Sequence, residues 1–312
     1  MGFGCPELSS QHQQLYSQSP LFIIPGWRRY CPEGIAYDDA TGYYYVSSTA
    51  GGTIYRGRIG EVATVFLEGG SDGRNMAGGM KVDGQGRLFI GTGPGGQVYV
   101  YDTRTAEHVA TLTTPRTGNF VNDVALTPDG SAYFTDSWLP VLYRVAPDSE
   151  GTLEIMEYLN FNGTALEYQP GFNVNGIVAS ADGQYLIVAQ MNGGKLFRIT
   201  IATQEIREID LGGRAIYGDG LVLDRRMLYA VDANREITVV HLAKELESGE
   251  VLGAFADPTF AFPTTIAKYR NRLLVVNSQF DRAGGPYAAP DAPPSSTPFA
   301  ISDVAIPDQD GE

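Results

Sequence analysis

Apolar and polar residues alternate with a period of two along most of this chain, in short runs separated by turns rich in glycine, aspartate and asparagine. That period belongs to β-strands, and helical spacing is almost absent. One unit shows the grammar: GIAYD, a turn, YYYVSS, a Gly-rich break, then TIYRGRI. Five other stretches overlay it. The six are PEGIAYDDATGYYYVSS (32–48), AGGMKVDGQGRLFIGTG (77–93), VNDVALTPDGSAYFTDS (121–137), VNGIVASADGQYLIVAQ (174–190), GDGLVLDRRMLYAVDA (218–233) and PTTIAKYRNRLLVVNSQ (263–279). Aligned positions recur at steps of 45, 44, 53, 44 and 45 residues. This is the period of a four-stranded propeller blade.

The pattern therefore predicts an all-β protein, a six-bladed β-propeller with four-stranded blades. Fourth strands are expected at 63–69, 108–114, 153–159, 205–211 and 250–256. The sixth unit has only TIAKY, RLLVVNS and FAISDVAI (299–306), so LFII (21–24) is expected to complete it. A ring closed by strands from both chain ends removes the last exposed sheet edge. Residues 21–312 then form one propeller domain behind an N-terminal arm, 1–20. Pro128-Asp129-Gly130 and Ala181-Asp182-Gly183 predict tight hairpins between first and second strands. HLAKELESG (241–249), with Leu242 and Leu246 four apart, predicts one or two helical turns. Arg282 to Thr297, rich in Pro, Gly and Ala, reads as a long loop over one face, either a lid or an insertion without a role.

One column of the overlay carries the chemistry. In a propeller the first strand of each blade lines the central channel, so residues aligned at its start form a ring around one opening. Here that ring is Glu33, Gly78, Asn122, Asn175, Asp219 and Thr264. Taken singly, Glu33 is a turn residue and the asparagines are Asx caps. Taken together, two carboxylates and two amides offer only hard oxygen donors, which suits calcium first and magnesium second. The lack of His or Cys in the column argues against zinc. Four protein oxygens leave coordination positions for water and substrate, as metal-assisted hydrolysis requires. The loops on that side carry Trp138, Phe172, Met191, Tyr217, Phe260 and Phe262, an apolar surround for a small molecule.

Composition narrows the partners. A net charge of -14 argues against nucleic acid or an anionic membrane. No run of residues is long and apolar enough to span a bilayer, and the first residues lack the basic and apolar regions of a signal peptide. Location stays open between the cytoplasm and export with a removed signal. The only cysteines, Cys5 and Cys31, are either one disulfide between the arm and the first repeat or two free thiols. The histidines, His12, His108 and His241, fall outside the column, which argues against a His-dependent mechanism.

With Glu33 in Pro-Glu-Gly, Asn122 in Asn-Asp-Val, Asn175 in Asn-Gly-Ile and Asp219 in Gly-Asp-Gly, the chain resembles the senescence-marker-protein/gluconolactonase family, related to diisopropyl fluorophosphatase and the paraoxonases. The resemblance runs from about Leu21 to the end. It implies a six-bladed propeller in which Glu33, Asn122, Asn175 and Asp219 hold a catalytic divalent cation, usually calcium, and which hydrolyses lactones, esters or organophosphates. Sugar-lactone members tend to carry an arginine two residues before the asparagine of the third unit, where this chain has Phe120. A gluconolactone-type substrate is therefore disfavoured.

The expectation is a calcium-dependent hydrolase of a small, fairly apolar lactone, ester or phosphoester. Asp219 would act as base or nucleophile, with Thr264, Trp138, Tyr217 and Phe172 contacting substrate. Two other readings stand beside it: a propeller with a structural metal that binds a ligand or partner without turnover, and a strictosidine-synthase-like lyase or condensing enzyme.

Overall fold

The computed structural model describes residues 21–23, 31–282 and 299–307. After a short β1 (Leu21–Ile23), blade one pairs β2 (Pro32–Asp38), β3 (Tyr43–Ser48), β4 (Ile54–Arg58) and β5 (Thr64–Leu67). Blade two follows with β6 (Met80–Val82), β7 (Arg87–Gly91), β8 (Gln97–Asp102) and β9 (His108–Thr113). Blade three is β10 (Val121–Leu126), β11 (Ala132–Asp136), β12 (Val141–Pro147) and β13 (Leu153–Asn160). Blade four is β14 (Val174–Ala179), β15 (Tyr185–Gln190), β16 (Lys195–Thr200) and β17 (Ile206–Glu208). Blade five is β18 (Gly218–Asp224), β19 (Met227–Asp232), β20 (Ile237–Leu242) and β21 (Gly249–Phe255). The last blade has β22 (Pro263–Tyr269), β23 (Arg272–Asn277) and β24 (Ala300–Ala305), with β1 as its outer strand. Leu21 pairs with Ser302 and Ile23 with Ala300, so strands from both ends of the chain close the ring. Every predicted fourth strand is present.

The apolar residues collect in six seams between neighbouring blades. Tyr44 and Val46 face blade six, where they meet Leu274 and Val276. Their neighbour Tyr45 faces blade two, with Leu88 and Ile90. Both faces of a blade are thus buried, which explains why inner strands read as near-continuous apolar runs while the outer β9 alternates with solvent. The predicted hairpins form as expected: Gly130 (φ 86) and Gly183 (φ 69) sit in the left-handed region, and Asp129 and Asp182 accept the backbone N–H of Ser131 (3.1 Å) and Gln184 (3.0 Å).

The helix expected at 241–249 is not there. His241 and Leu242 complete β20, Leu246 takes φ 55, and Ala243 N–H donates to Ser248 O at 2.8 Å, which closes a turn into β21. Leu242 and Leu246 are both buried in the seam between blades four and five, so their spacing of four reflects a shared pocket. A segment this short cannot offset the cost of nucleating a helix when a strand on each side claims its ends. The arm 1–20, most of the loop 282–297, and any pairing of Cys31 with Cys5 lie outside the described residues. Burial pushes the half-buried Cys31 thiol upward. No helix among the described residues is long and apolar enough to cross a membrane.

Candidate functional site

The ring forms through an irregularity repeated at the start of five first strands. Register with the second strand shifts between Pro32 and Ile35, Val121 and Val124, Val174 and Ile177, Gly218 and Leu221, and Pro263 and Ile266. Each shift spans the ring residue and its follower. A bulge of this kind re-aims a side chain that regular pairing would send into a seam. Blade two reaches a similar arrangement without one: Gly78 and Gly79 precede β6, and Gly91 bonds both, at 2.8 Å through its carbonyl and 3.0 Å through its N–H.

The followers decide how tightly the blades approach. They are Gly34, Gly79, Asp123, Gly176, Gly220 and Thr265. A Cβ on Gly34 would lie 2.3 Å from Gly78 O, and one on Gly176 would lie 1.9 Å from Asp219 O, so only glycine lets these backbones touch. The two exceptions reach across instead. Asp123 Oδ2 accepts Ile177 N–H of blade four at 3.3 Å, and Thr265 Oγ1 donates to Glu33 Oε1 of blade one at 3.4 Å.

Side chains around the ring are held in turn. Asn122 Nδ2 donates to Ser137 Oγ at 2.9 Å, and Ser137 Oγ donates to Val174 O at 2.8 Å. Asn175 Nδ2 donates to Met191 Sδ at 3.5 Å, and the Asn175 amide works against the upward shift of the neighbouring Asp219 carboxyl. With the nitrogens committed, the amide oxygens are the ends left for a ligand. Thr264, fully buried, donates to Glu33 O at 3.1 Å and shares a 2.6 Å hydrogen bond with Ser278. A substrate that needed that hydroxyl as a donor would have to displace the bond to Glu33 O.

Electrostatically the ring is under-neutralised. Desolvation, then the charges of Asp219 and Asp123, raise the Glu33 carboxyl well above its usual range, against smaller opposing effects of Thr265 and Lys81. Asp219 is pushed up to about 8 by desolvation and by Asp123, with the Asn175 hydrogen bond opposing. Burial also raises Asp123, against the charge of Lys81 and two backbone N–H groups. Glu33 Oε2 is buried with no hydrogen-bond partner. An orphaned carboxylate oxygen among carboxylates held above their normal range is a site that lacks positive charge. A hard divalent cation fits that donor set. No group of three His, Cys, Asp or Glu among the described residues is assembled to hold a metal, and the amides of Asn122 and Asn175 are the further oxygen donors the ring offers beside Glu33 and Asp219.

Asp123 was not singled out from sequence. Its signal is an aspartate in a follower column that is otherwise glycine or threonine.

Above the ring, Phe120, Trp138 and Phe172 form a triad with centroids 5.0, 5.0 and 6.0 Å apart. Trp138 is 43% exposed. Asp136 organises this wall: its Oδ1 accepts the N–H groups of Phe120 (2.9 Å), Trp138 (2.9 Å) and Leu139 (2.8 Å), and its carbonyl accepts Tyr168 OH at 2.5 Å. Asp232 and Asn277 hold the equivalent loops through Tyr217 N–H (3.2 Å) and Ala261 N–H (2.7 Å). The exposed Tyr217 stands apart from the triad, its ring beside Gly194. His108 lies on the outermost strand of blade two and His241 on the third strand of blade five, away from the ring.

Fold and site together define a six-bladed β-propeller with an acidic, amide-bearing ring at one mouth of its channel. The chain belongs to the SMP-30/gluconolactonase/LRE-like family, whose model matches residues 27–218. Among solved structures, a gluconolactonase from Xanthomonas campestris is 17% identical, with a TM-score of 0.61, covering 89% of this chain and 87% of its own. Regucalcin from Agrobacterium tumefaciens, described as a calcium-binding protein, is 16% identical with a TM-score of 0.63, covering 92% and 94%. A virginiamycin B lyase from Staphylococcus aureus is 15% identical with a TM-score of 0.63, covering 93% and 99%. Likeness at these identities shows the fold, which hosts more than one reaction type. No curated protein matches the chain by sequence.

Proposed function

We propose that the chain is a calcium-dependent hydrolase of a small apolar lactone, ester or phosphoester, acting at the ring. One observation carries this reading: Glu33 Oε2, buried and without a partner, faces a set of hard oxygen donors too poor in positive charge. Family membership supports a lactonase-type propeller, and the regucalcin likeness is consistent with a divalent cation. Magnesium is the second choice, because it demands a stricter octahedral shell.

Glu33, Asn122, Asn175 and Asp219 would hold the ion, with Ser137, Met191 and Thr265 fixing their orientations. When bound, the cation would supply Lewis-acid polarisation of the substrate's carbonyl or phosphoryl oxygen. Asp219 handles the proton of the attacking water, or attacks directly and is regenerated by water. A single turnover in heavy-oxygen water that labels the Asp219 carboxylate identifies the nucleophilic route, in which water attacks the aspartyl carbon to release the enzyme. Trp138 and Phe172 exclude water and position the apolar part of the substrate, whereas the buried Thr264 serves the ring by holding the Glu33 carbonyl.

The test starts with thermal unfolding in excess EGTA and then in millimolar calcium, with magnesium as control, on wild type and Asp219→Asn. Calcium at about a hundred times its dissociation constant adds roughly 2.7 kcal/mol, a rise of several degrees for a domain this size. Asp219→Asn should blunt that rise. A screen of lactones, esters and phosphotriesters read by mass then decides the reaction: hydrolysis adds one water to the sum of products, and a lyase adds none. Calcium stabilisation with silence across the screen would favour the binding propeller instead.

A further inference from the structure

One lysine interrupts the apolar lining of the channel. Three residues beyond the ring, the first strands carry Ala36, Ala125, Val178, Val222 and Ala267, all buried, and each packs in the seam toward the next blade. Blade two has Lys81 there. Lys81 is half-buried and pairs across the strands with Phe89, which lies in the seam between blades two and three. The stem of a lysine packs well in such a seam, but its ammonium does not belong there without a reason. Among the described residues the side chain makes no hydrogen bond and no ion pair, so no local partner supplies that reason.

The reason lies one pleat toward the ring. Side chains two apart on a strand share a face, so Lys81 stands on the face of Gly79, where a Cβ would lie 2.4 Å from Asp123 Oδ1. Asp123 is buried, and backbone engages both its oxygens: Oδ1 accepts Val124 N–H at 2.8 Å and Oδ2 accepts Ile177 N–H at 3.3 Å. It brings charge to the ring more than a free ligand oxygen. After desolvation, that charge is among the causes that raise Glu33 and Asp219. The charge of Lys81 works the other way, against desolvation at both Glu33 and Asp123. Ionised, the three carboxylates Glu33, Asp123 and Asp219 set against one ammonium leave two negative charges, the match for one divalent cation. Without Lys81 the same group would carry three.

We propose that Lys81 sets the ion selectivity of the ring: its ammonium offsets the charge of Asp123, so that the site at Glu33, Asn122, Asn175 and Asp219 presents two net negative charges and favours a divalent cation over a trivalent one. Repulsion between a fixed ammonium and a bound ion grows in proportion to the ion's charge, so the lysine penalises a trivalent ion about one and a half times as much as a divalent one. Lys81 acts through its field rather than as a ligand. This inference rests on the cation reading of the ring and adds its charge preference.

The experiment titrates calcium and terbium, each alone, into metal-free wild type, Lys81→Met, Lys81→Gln and Lys81→Arg, with calorimetry at a single pH. Protons compete with both ions for the same carboxylates, so their effect cancels in the ratio of the two affinities. Lys81→Met and Lys81→Gln should each raise terbium affinity relative to calcium by about threefold or more, the effect of removing one unit charge several ångströms away in a medium of intermediate dielectric. Lys81→Arg keeps the charge and should keep the wild-type ratio. Melting curves in EGTA check that each variant folds, and the glutamine variant carries the test if the methionine variant does not. A wild-type ratio in the neutral variants, with calcium bound, would overturn the inference and leave the cation reading intact. An equal shift in Lys81→Arg would also overturn it, because the effect would then come from packing rather than charge. Failure of wild type to bind calcium would overturn the cation reading and this inference with it.

Discussion

Thr265 Oγ1 donates to Glu33 Oε1 at 3.4 Å across the seam between the last blade and the first, joining residues 232 apart in sequence. Its neighbour Thr264 holds the carbonyl of the same glutamate at 3.1 Å. Two consecutive threonines of blade six thus grip the backbone and the side chain of Glu33, and the last blade positions the first blade's ring carboxylate.

Removal of that grip should show in ion affinity more than in stability. Thr265→Val keeps the shape and deletes the donor, so the Glu33 carboxylate loses its orienting bond. Loss of such outer contacts typically weakens metal binding by about 10–100-fold. Calcium calorimetry should find a fall in that range, with little change in the metal-free melting temperature. Unchanged affinity would show that Thr265 does not orient the carboxylate.

Ser137→Ala tests the other side of the ring. Ser137 takes Asn122 Nδ2 and passes a bond on to Val174 O, linking blades three and four. Its loss leaves a buried amide and a buried carbonyl short of a partner, at about 1–3 kcal/mol. Urea unfolding in EGTA should detect that loss, and calcium affinity should fall with it as the Asn122 amide becomes free to rotate.

The ring carboxyls predict an unusual pH dependence. Asp219 is raised from 3.8 to about 8 and Glu33 is raised as well, desolvation being the first cause in both. Between those limits the folded metal-free protein keeps protons that the unfolded chain has lost, so its stability falls as pH rises through that window. Below the unfolded values both states are protonated and the stability is fully present. Calcium needs the ionised groups, so the calcium-induced rise in melting temperature should be larger at about pH 9 than at about pH 6. In Asp219→Asn the metal-free protein should lose part of this slope. Melting curves across pH, with and without calcium, read both effects.

Gly176→Ala should be among the most damaging single substitutions outside the seams. Its Cβ would fall 1.9 Å from Asp219 O and 2.9 Å from Leu221 Cγ. Backbone on the facing blade cannot yield locally, so the blades must separate, at about 1–3 kcal/mol or more. Soluble yield and the urea midpoint measure it. A melting temperature equal to wild type would mean that the blades approach less closely than described.

Strand identity, blade count and the ring column were legible in the sequence because each depends on local alternation repeated six times. YYYVSS or VNDVAL reads as a strand without knowledge of its neighbours, and the period of about 45 residues places the ring residues in one column. The segment at 241–249 misled because Leu242 and Leu246 meet in one seam by way of a turn, and spacing alone does not distinguish a turn from a helix. Asp123 was hidden for a related reason. Period-two reasoning sends consecutive residues to opposite faces, whereas the bulge at 122–123 leaves Asn122 in the ring and still brings Asp123 against the backbone of blade four. The repeat determined which residue types gather around the channel. Tertiary structure alone decided that Glu33 Oε2 remains without a partner and that Thr265 grips Glu33, because both depend on contacts between blades, the second between the two ends of the chain, and no local pattern encodes them.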